Sequence, residues 1–198
     1  MVDRTTEGPG RVPNDTRDAL IDSAEHLIRA RGYSVFSYAD LEKKIGIRKA
    51  SIHYHFPTKE DLGVAVVEKY ISSLTQQLRD IDAHHPSARD RLDAFAELFR
   101  GSRATGTLPL CGALAAEMTV LPAKVQSLTT RYFETHLNWL ATTLQYGAAT
   151  KELPAIADPS QRAYEILSLL EGASFVNWGL NSRREIGDGV IRRIVGNG

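Results

Sequence analysis

Between positions 48 and 59 the chain sets out Arg48, Lys49, Ser51, His53, Tyr54, His55 and Lys59, a cluster of cations, hydroxyls and imidazoles with no carboxylate before Glu60. Such groups do not make or break covalent bonds in this arrangement. They donate hydrogen bonds to phosphate oxygens and match the donor and acceptor pattern of base edges in the major groove of a duplex. Ile52 and Phe56 lie four residues apart among them, so a helix over about 48–56 buries that pair and leaves the polar set outward or flanking. Pro57 ends the helix because it has no N–H to donate.

The elements that hold this helix are legible on both sides. Before it, Ser37 is placed to cap a short helix whose Leu41 and Ile45 share one face, and Gly46 accepts the left-handed turn in which that helix ends. Ile47 plugs the angle between the two helices. After it, Thr58-Lys59-Glu60-Asp61 opens a third helix with a near capping box and acidic groups in its first turn. Two short helices joined at a steep angle through a glycine turn make a helix-turn-helix, although a helical hairpin with a solvated charged face has the same local pattern.

The whole string is more specific. Gly32-Tyr33, Ser37, Leu41, Ile45-Gly46-Ile47, Ser51-Ile52, Tyr54-His55-Phe56, Lys59-Glu60 and Leu62 together resemble the DNA-binding domain of the tetracycline-repressor (TetR) family, over about residues 15–75 with the motif at 37–56. The resemblance implies that Lys49, Ser51, His53 and His55 enter the major groove, that Lys59 holds a phosphate, and that Ser37 and Tyr38 lie near the DNA backbone. Arg48 and Tyr54 complete the candidate DNA-binding set. Three positions depart from the family pattern. Arg48 stands where a small capping serine is usual, which implies a weaker cap and one more positive charge. His53 replaces a tyrosine, which implies a shorter and pH-sensitive contact. Glu42 replaces a small alanine, which implies a looser or wetter face on the first motif helix.

The chain has 198 residues, 24 basic and 24 acidic, so its formal net charge is zero. The basic character is local, in Lys43, Lys44, Arg48, Lys49 and Lys59, and local charge is what phosphate contacts require. A single cysteine excludes an internal disulfide framework, and no apolar run is long enough to span a bilayer. With no secretory signal in the first residues, a cytoplasmic protein is expected.

The periodicity elsewhere is helical, with no strand-like alternation of any length, and predicts an all-α protein of about nine helices. Residues 1–14 are expected to be a flexible arm, 15–75 the DNA-binding domain, and 76–198 a ligand-binding and dimerisation domain. The reading places helices from Asp15 to Arg31, from Thr58 to about Asp80, from Ala88 to Arg100, from Cys111 to Leu121, from Pro122 to Gly147, from Pro159 to Gly179 and from Arg183 to Val195. By the family resemblance the helix after Thr58 connects reader and regulatory domain, and it is the only rigid lever expected. The last two helices would form a four-helix bundle with those of a second copy. A broad apolar arc on the Pro159 helix fits that homodimer and equally fits burial within a monomer.

A ligand pocket implied by the resemblance draws attention to Phe99, Cys111, Met118, Tyr132, Phe133, His136, Trp139, Phe175 and Trp178, side chains that also suit a plain core. Cys111 at a helix N-terminus is a candidate sensor, since backbone N–H groups there would lower the thiol pKa; a buried inert thiol is the alternative. No zinc-binding helix, phosphate-cradling loop or nucleophile elbow is present, so no catalytic residue, metal or cofactor is assigned and no enzyme is expected. The function implied is a DNA-binding transcriptional regulator, a dimeric repressor released from its double-stranded operator by an unidentified small-molecule inducer or by modification of Cys111. A helical interaction module or small all-α enzyme that does not bind DNA is the competing class.

Overall fold

The computed structural model describes residues 13–103, 107–182, 184–187 and 189–196, and the arm expected at 1–14 lies outside them but for its last two positions. Among the described residues there are nine α-helices, a single 3-10 turn and no strand. The fold is all-α, as the periodicity requires.

Helix α1 (Pro13–Arg31) buries Leu20, Ala24, Leu27 and Ile28. Gly32 follows at φ +91° and cannot be replaced without cost, since a Cβ there would stand 1.9 Å from the Glu117 carboxylate. Helix α2 (Tyr38–Ile45) starts in a complete capping box: the Asp40 N–H donates to Ser37 Oγ and the Ser37 N–H donates to Asp40. It stops at Gly46, φ +77°, whose N–H closes on the Glu42 carbonyl. Helix α3 (Lys49–His55) is the second motif helix, and α4 (Lys59–His84) begins in a second full box between Thr58 and Asp61.

Helix α4 belongs to both halves. Its first part packs on α1 and its length packs on α7 (Ala123–Ala149), so the core from Leu20 to Val195 is continuous through Leu62, Val66, Val67, Ile71, Leu74 and Leu78. It continues to His84, beyond the expected fade near Asp80. Helix α5 (Ala88–Arg103) lies against α7, while α8 (Pro159–Gly179), capped by Asp158 with proline at its start, lies along α7 on another side.

Two elements are shorter than expected. Helix α6 spans only Leu110–Ala115, after which Met118–Val120 form the 3-10 turn. The last helix, α9, spans Val190–Val195 instead of starting near Arg183; residues 184–187 are not helical, and Gly189 at φ +73° forms its N-cap. Gly187 and Gly189 stand just before α9, and glycine is the residue that costs a helix most backbone entropy short of proline.

Candidate functional site

Helix α3 has one face inside and one face out. Ile52 is fully buried and Phe56 is 2 % exposed, whereas Arg48, Lys49, His53 and Tyr54 are exposed and Ser51 and His55 half-buried. Tyr54 is 83 % exposed, with its ring edge-on to His55 at 5.3 Å. The outward rim is therefore two cations, two imidazoles, a hydroxyl and a phenol on a seven-residue helix. His53 Nδ1 lies 3.1 Å from the Pro57 carbonyl and donates to it.

Two of the departures noted above turn out to be one interaction. Arg48 is the N-cap of α3 and its side chain makes no capping bond, but the Lys49 N–H donates to Glu42 Oε1 at 3.2 Å. The carboxylate of α2 thus caps α3 across the turn, so Glu42 ties the motif together instead of loosening it.

Tyr38 corrects an expectation. It is 7 % exposed, and its hydroxyl stands 2.8 Å from the Phe56 carbonyl and 2.6 Å from the Thr58 carbonyl. The phenol proton is shared between those two oxygens, and burial pushes the pKa up to about 12. Tyr38 is a brace that fixes the α3–α4 corner from within, not a contact to the DNA backbone. Ser37 remains exposed, with its hydroxyl engaged by Asp40. Lys59 is half-buried: its Nζ donates to the Ser34 carbonyl at 3.2 Å and lies over the rings of Tyr33 (4.8 Å) and Phe36 (4.6 Å). Burial draws its pKa down.

The chain that carries this helix, with its buried Ile52–Phe56 edge, cap across a glycine turn and proline stop, is matched by two family models, the first of which covers the helix. Residues 20–66 match "Bacterial regulatory proteins, tetR family", and residues 88–183 match "Tetracyclin repressor-like, C-terminal domain". The chain belongs to the TetR family. Among curated relatives, the transcriptional repressor NemR of Escherichia coli K12 is 26 % identical over 165 residues, covering 81 % of this chain and 83 % of its own. A TetR-family regulator from Agrobacterium tumefaciens superposes with a TM-score of 0.80 at 28 % identity, over 92 % of this chain and 95 % of that one. The reduced form of E. coli NemR does so with a TM-score of 0.76 at 25 % identity, over 85 % and 89 %. The protein is thus a DNA-binding transcriptional regulator of TetR type.

In this TetR-family chain the regulatory half holds a half-open cavity of about 370 Å³ between α4, α5 and α7. Of the residues singled out from sequence, Phe99, Tyr132 and His136 line it. The others do not. Cys111 is fully buried in α6, Trp139 stacks on Phe95 and donates to Asp82, and Met118 and Phe133 pack against the core. Phe175 and Trp178 lie on the exposed side of α8. The wall that sequence reasoning missed is the α4 stripe Tyr70, Ser73, Leu74 and Gln77, together with Glu97, Leu98 and Pro109. Its spacing of three and four was visible, but Ser73 and Gln77 read as solvent positions.

The TetR chain's Cys111 contradicts the expected lowering of its thiol pKa. It sits at the second residue of α6, yet it is fully enclosed, and burial first, then the nearby Glu171, raises that pKa well above the ordinary value. Desolvation outweighs a terminus of so short a helix. Beside it, both carboxylate oxygens of the buried Glu171 lack a hydrogen-bond partner among the described residues, and burial raises its pKa to about 7. Gly112 makes room for this group: a Cβ there would stand 3.2 Å from Glu171 Oε2.

Reader and regulatory half also meet away from α4. Glu117, just after α6, accepts hydrogen bonds from the Ser34 N–H at 2.7 Å and Ser34 Oγ at 2.6 Å, and Arg29 Nε donates to the Leu108 carbonyl at 2.8 Å. The connecting helix is therefore not the only mechanical link.

Proposed function

We propose that this regulator is a dimeric repressor, released from its operator when a small molecule occupies the cavity between α4, α5 and α7. The observation that carries the DNA-reading part is α3 itself, whose apolar edge is spent on the core while Lys49, His53 and Tyr54 stand free of it. Arg48, Lys49, Ser51, His53, Tyr54 and His55 are the proposed contacts to bases and phosphates. Ser37 sits at the edge of that surface. Lys59 reaches a phosphate by swinging off the rings it covers.

Support for a homodimer comes from α8. Tyr164, Ser168, Gly172, Val176 and Gly179 recur at helical spacing on its exposed side, with Phe175, Trp178 and Leu180 beside them. Tyr164 and Val176 are 58 % and 59 % exposed, an apolar strip that a monomer would leave to water. Helix α9 is short and its Ile191 and Val195 face the protein's own core, so α8 carries most of the proposed interface. Two copies give two readers and hence a palindromic operator.

The inducer acts by preferring a state in which the two readers no longer fit successive major grooves. A preference of about 1–3 kcal/mol is enough for a useful response. Both α4 and the Glu117–Ser34 contact connect the cavity region to the reader. Modification of Cys111 is a second route, one that requires α6 to open first because the thiol is enclosed. No helix among the described residues is long and apolar enough to cross a membrane; the proposed action on DNA supports a cytoplasmic location.

The test is a gel shift with the DNA upstream of the protein's own reading frame. The expected result is a sequence-specific complex that weakens steeply with salt, and a dimer by sedimentation. A salt-insensitive or sequence-blind complex contradicts the reading.

A further inference from the structure

His136 is a cavity-lining histidine whose proton can be located. Its Nδ1 lies 3.1 Å from the Tyr132 carbonyl oxygen, and a carbonyl only accepts, so Nδ1 carries the hydrogen. The ring is 2 % exposed, and burial lowers its pKa to about 4, which keeps it neutral. A neutral imidazole protonated on Nδ1 has a bare lone pair on Nε2. That nitrogen takes no hydrogen bond among the described residues, yet it is not sealed in the core, because the sealed and unpartnered side-chain atoms are those of Glu171 alone. His136 lines the cavity, and with Nδ1 turned to its own helix Nε2 is the ring nitrogen left to meet a ligand there. The remaining neighbours of the ring are aromatic: Tyr132 at 4.4 Å, Phe95 at 5.5 Å and Phe99 at 6.0 Å. None of the phenylalanines can donate to it.

We propose that the cavity takes an uncharged aromatic molecule bearing a hydroxyl group, which donates its proton to Nε2 of His136 while its ring lies against Phe99 and Tyr132. The proposal rests on the reading of the cavity as the effector site and names the chemistry of that effector. Size agrees, since about 370 Å³ falls in the range of small-molecule sites and accommodates one or two fused rings. Charge agrees as well. Among the described residues the lining holds no lysine or arginine to receive an anion, and its one carboxylate there, Glu97, is paired with Arg100. An unfilled acceptor in a largely apolar site favours a ligand with a donor over its isostere without one, because the latter leaves Nε2 dry and unpaired.

Calorimetric titration of the whole protein with 2-naphthol, 2-methoxynaphthalene, 2-naphthoate and 2-naphthylmethylammonium tests this. The expected result is that 2-naphthol binds at least tenfold tighter than each of the other three. In His136→Phe the naphthol-to-methoxy preference falls to about twofold or less, while 2-methoxynaphthalene binds as before or better. A merely structural role for His136 would weaken both probes together and leave their ratio. Should His136→Phe not fold, the wild-type ratio decides alone. Equal binding of naphthol and its methyl ether, tighter binding of the anion or the cation, no binding of any probe, or a preference that survives in His136→Phe each overturns the proposal. The effector reading is separable: if 2-naphthol binds with the stated preference but leaves operator affinity unchanged, the ligand chemistry stands and the cavity is not the inducer site.

Discussion

In the reader, the polar groups at helix ends and corners are met. Ser37 closes on Asp40, Thr58 on Asp61, Glu42 on the Lys49 N–H, and the Tyr38 hydroxyl on two carbonyls. In the regulatory half, among the described residues, both oxygens of Glu171 go without a partner and His136 presents an unused acceptor to a cavity. The difference matches the two tasks proposed for these halves. A surface that must hold several donors in register against a duplex gains from being braced, since a contact that is pre-organised loses less on binding. A domain that must answer a ligand needs hydrogen-bonding capacity the fold has not consumed and a packing that tolerates more than one arrangement.

That contrast can be broken first by pH. Glu171 is raised from 4.5 to about 7 in the fold, so its protonated form stabilises below about 4.5 and that contribution is lost as pH rises through about 7. His136 is lowered from 6.5 to about 4, so its contribution is present above about 6.5 and lost as pH falls through about 4. Each amounts to something on the order of 3 kcal/mol, with opposite slopes. In urea unfolding, Glu171→Gln should therefore gain on the wild type as pH rises from 5 to about 7.5, and His136→Phe should gain on the wild type as pH falls below about 6.5. Parallel profiles for the two variants would show that neither group is held as described.

A smaller effect is expected inside the reader. Tyr38→Phe removes a hydroxyl that serves the Phe56 and Thr58 carbonyls, and should cost about 1–3 kcal/mol. Because the brace sets the angle between α3 and α4, operator affinity should fall with it, although the Tyr38 hydroxyl is spent inside the protein. Loss of stability with operator affinity intact at saturating folded protein would restrict Tyr38 to a packing role. Smaller again, Glu42→Ala removes the cross-helix cap of α3 and should cost about 1 kcal/mol, read as a shift in the urea midpoint without a change in slope. An unchanged midpoint would mean that the Lys49 N–H is as well served by water.

Much of the reader was legible because its signals are local. Ser37, Gly46, Pro57 and Thr58 act within one turn of where they stand, and they fix the motif within a residue or so of the observed α2 and α3. Tyr38 could have been found: it stands three residues before Leu41, on the face that goes inside. The Glu42–Lys49 cap was out of reach, since it depends on the angle between two helices. In the regulatory half, the start of α8 at Asp158-Pro159 was plain, but a broad apolar arc does not tell which neighbour covers which side, so Phe175 and Trp178 were assigned to a pocket they do not line. The lowered thiol pKa expected of Cys111 failed for an energetic reason. Its position at a helix start was right, and its complete burial, which reverses the direction of the pKa shift, comes from packing that no local pattern records.

The claim on which the account rests is that the outward rim of α3 reads DNA, and Lys49→Ala tests it most directly. Lys49 is exposed, and the cap it receives from Glu42 runs through its backbone N–H, so the substitution leaves the fold in place. The account predicts operator binding weakened by about tenfold or more, with unchanged helical circular dichroism and a salt dependence shallower by about one phosphate contact if the ammonium meets the backbone. Full operator affinity in Lys49→Ala, measured at the same salt concentration, would contradict it.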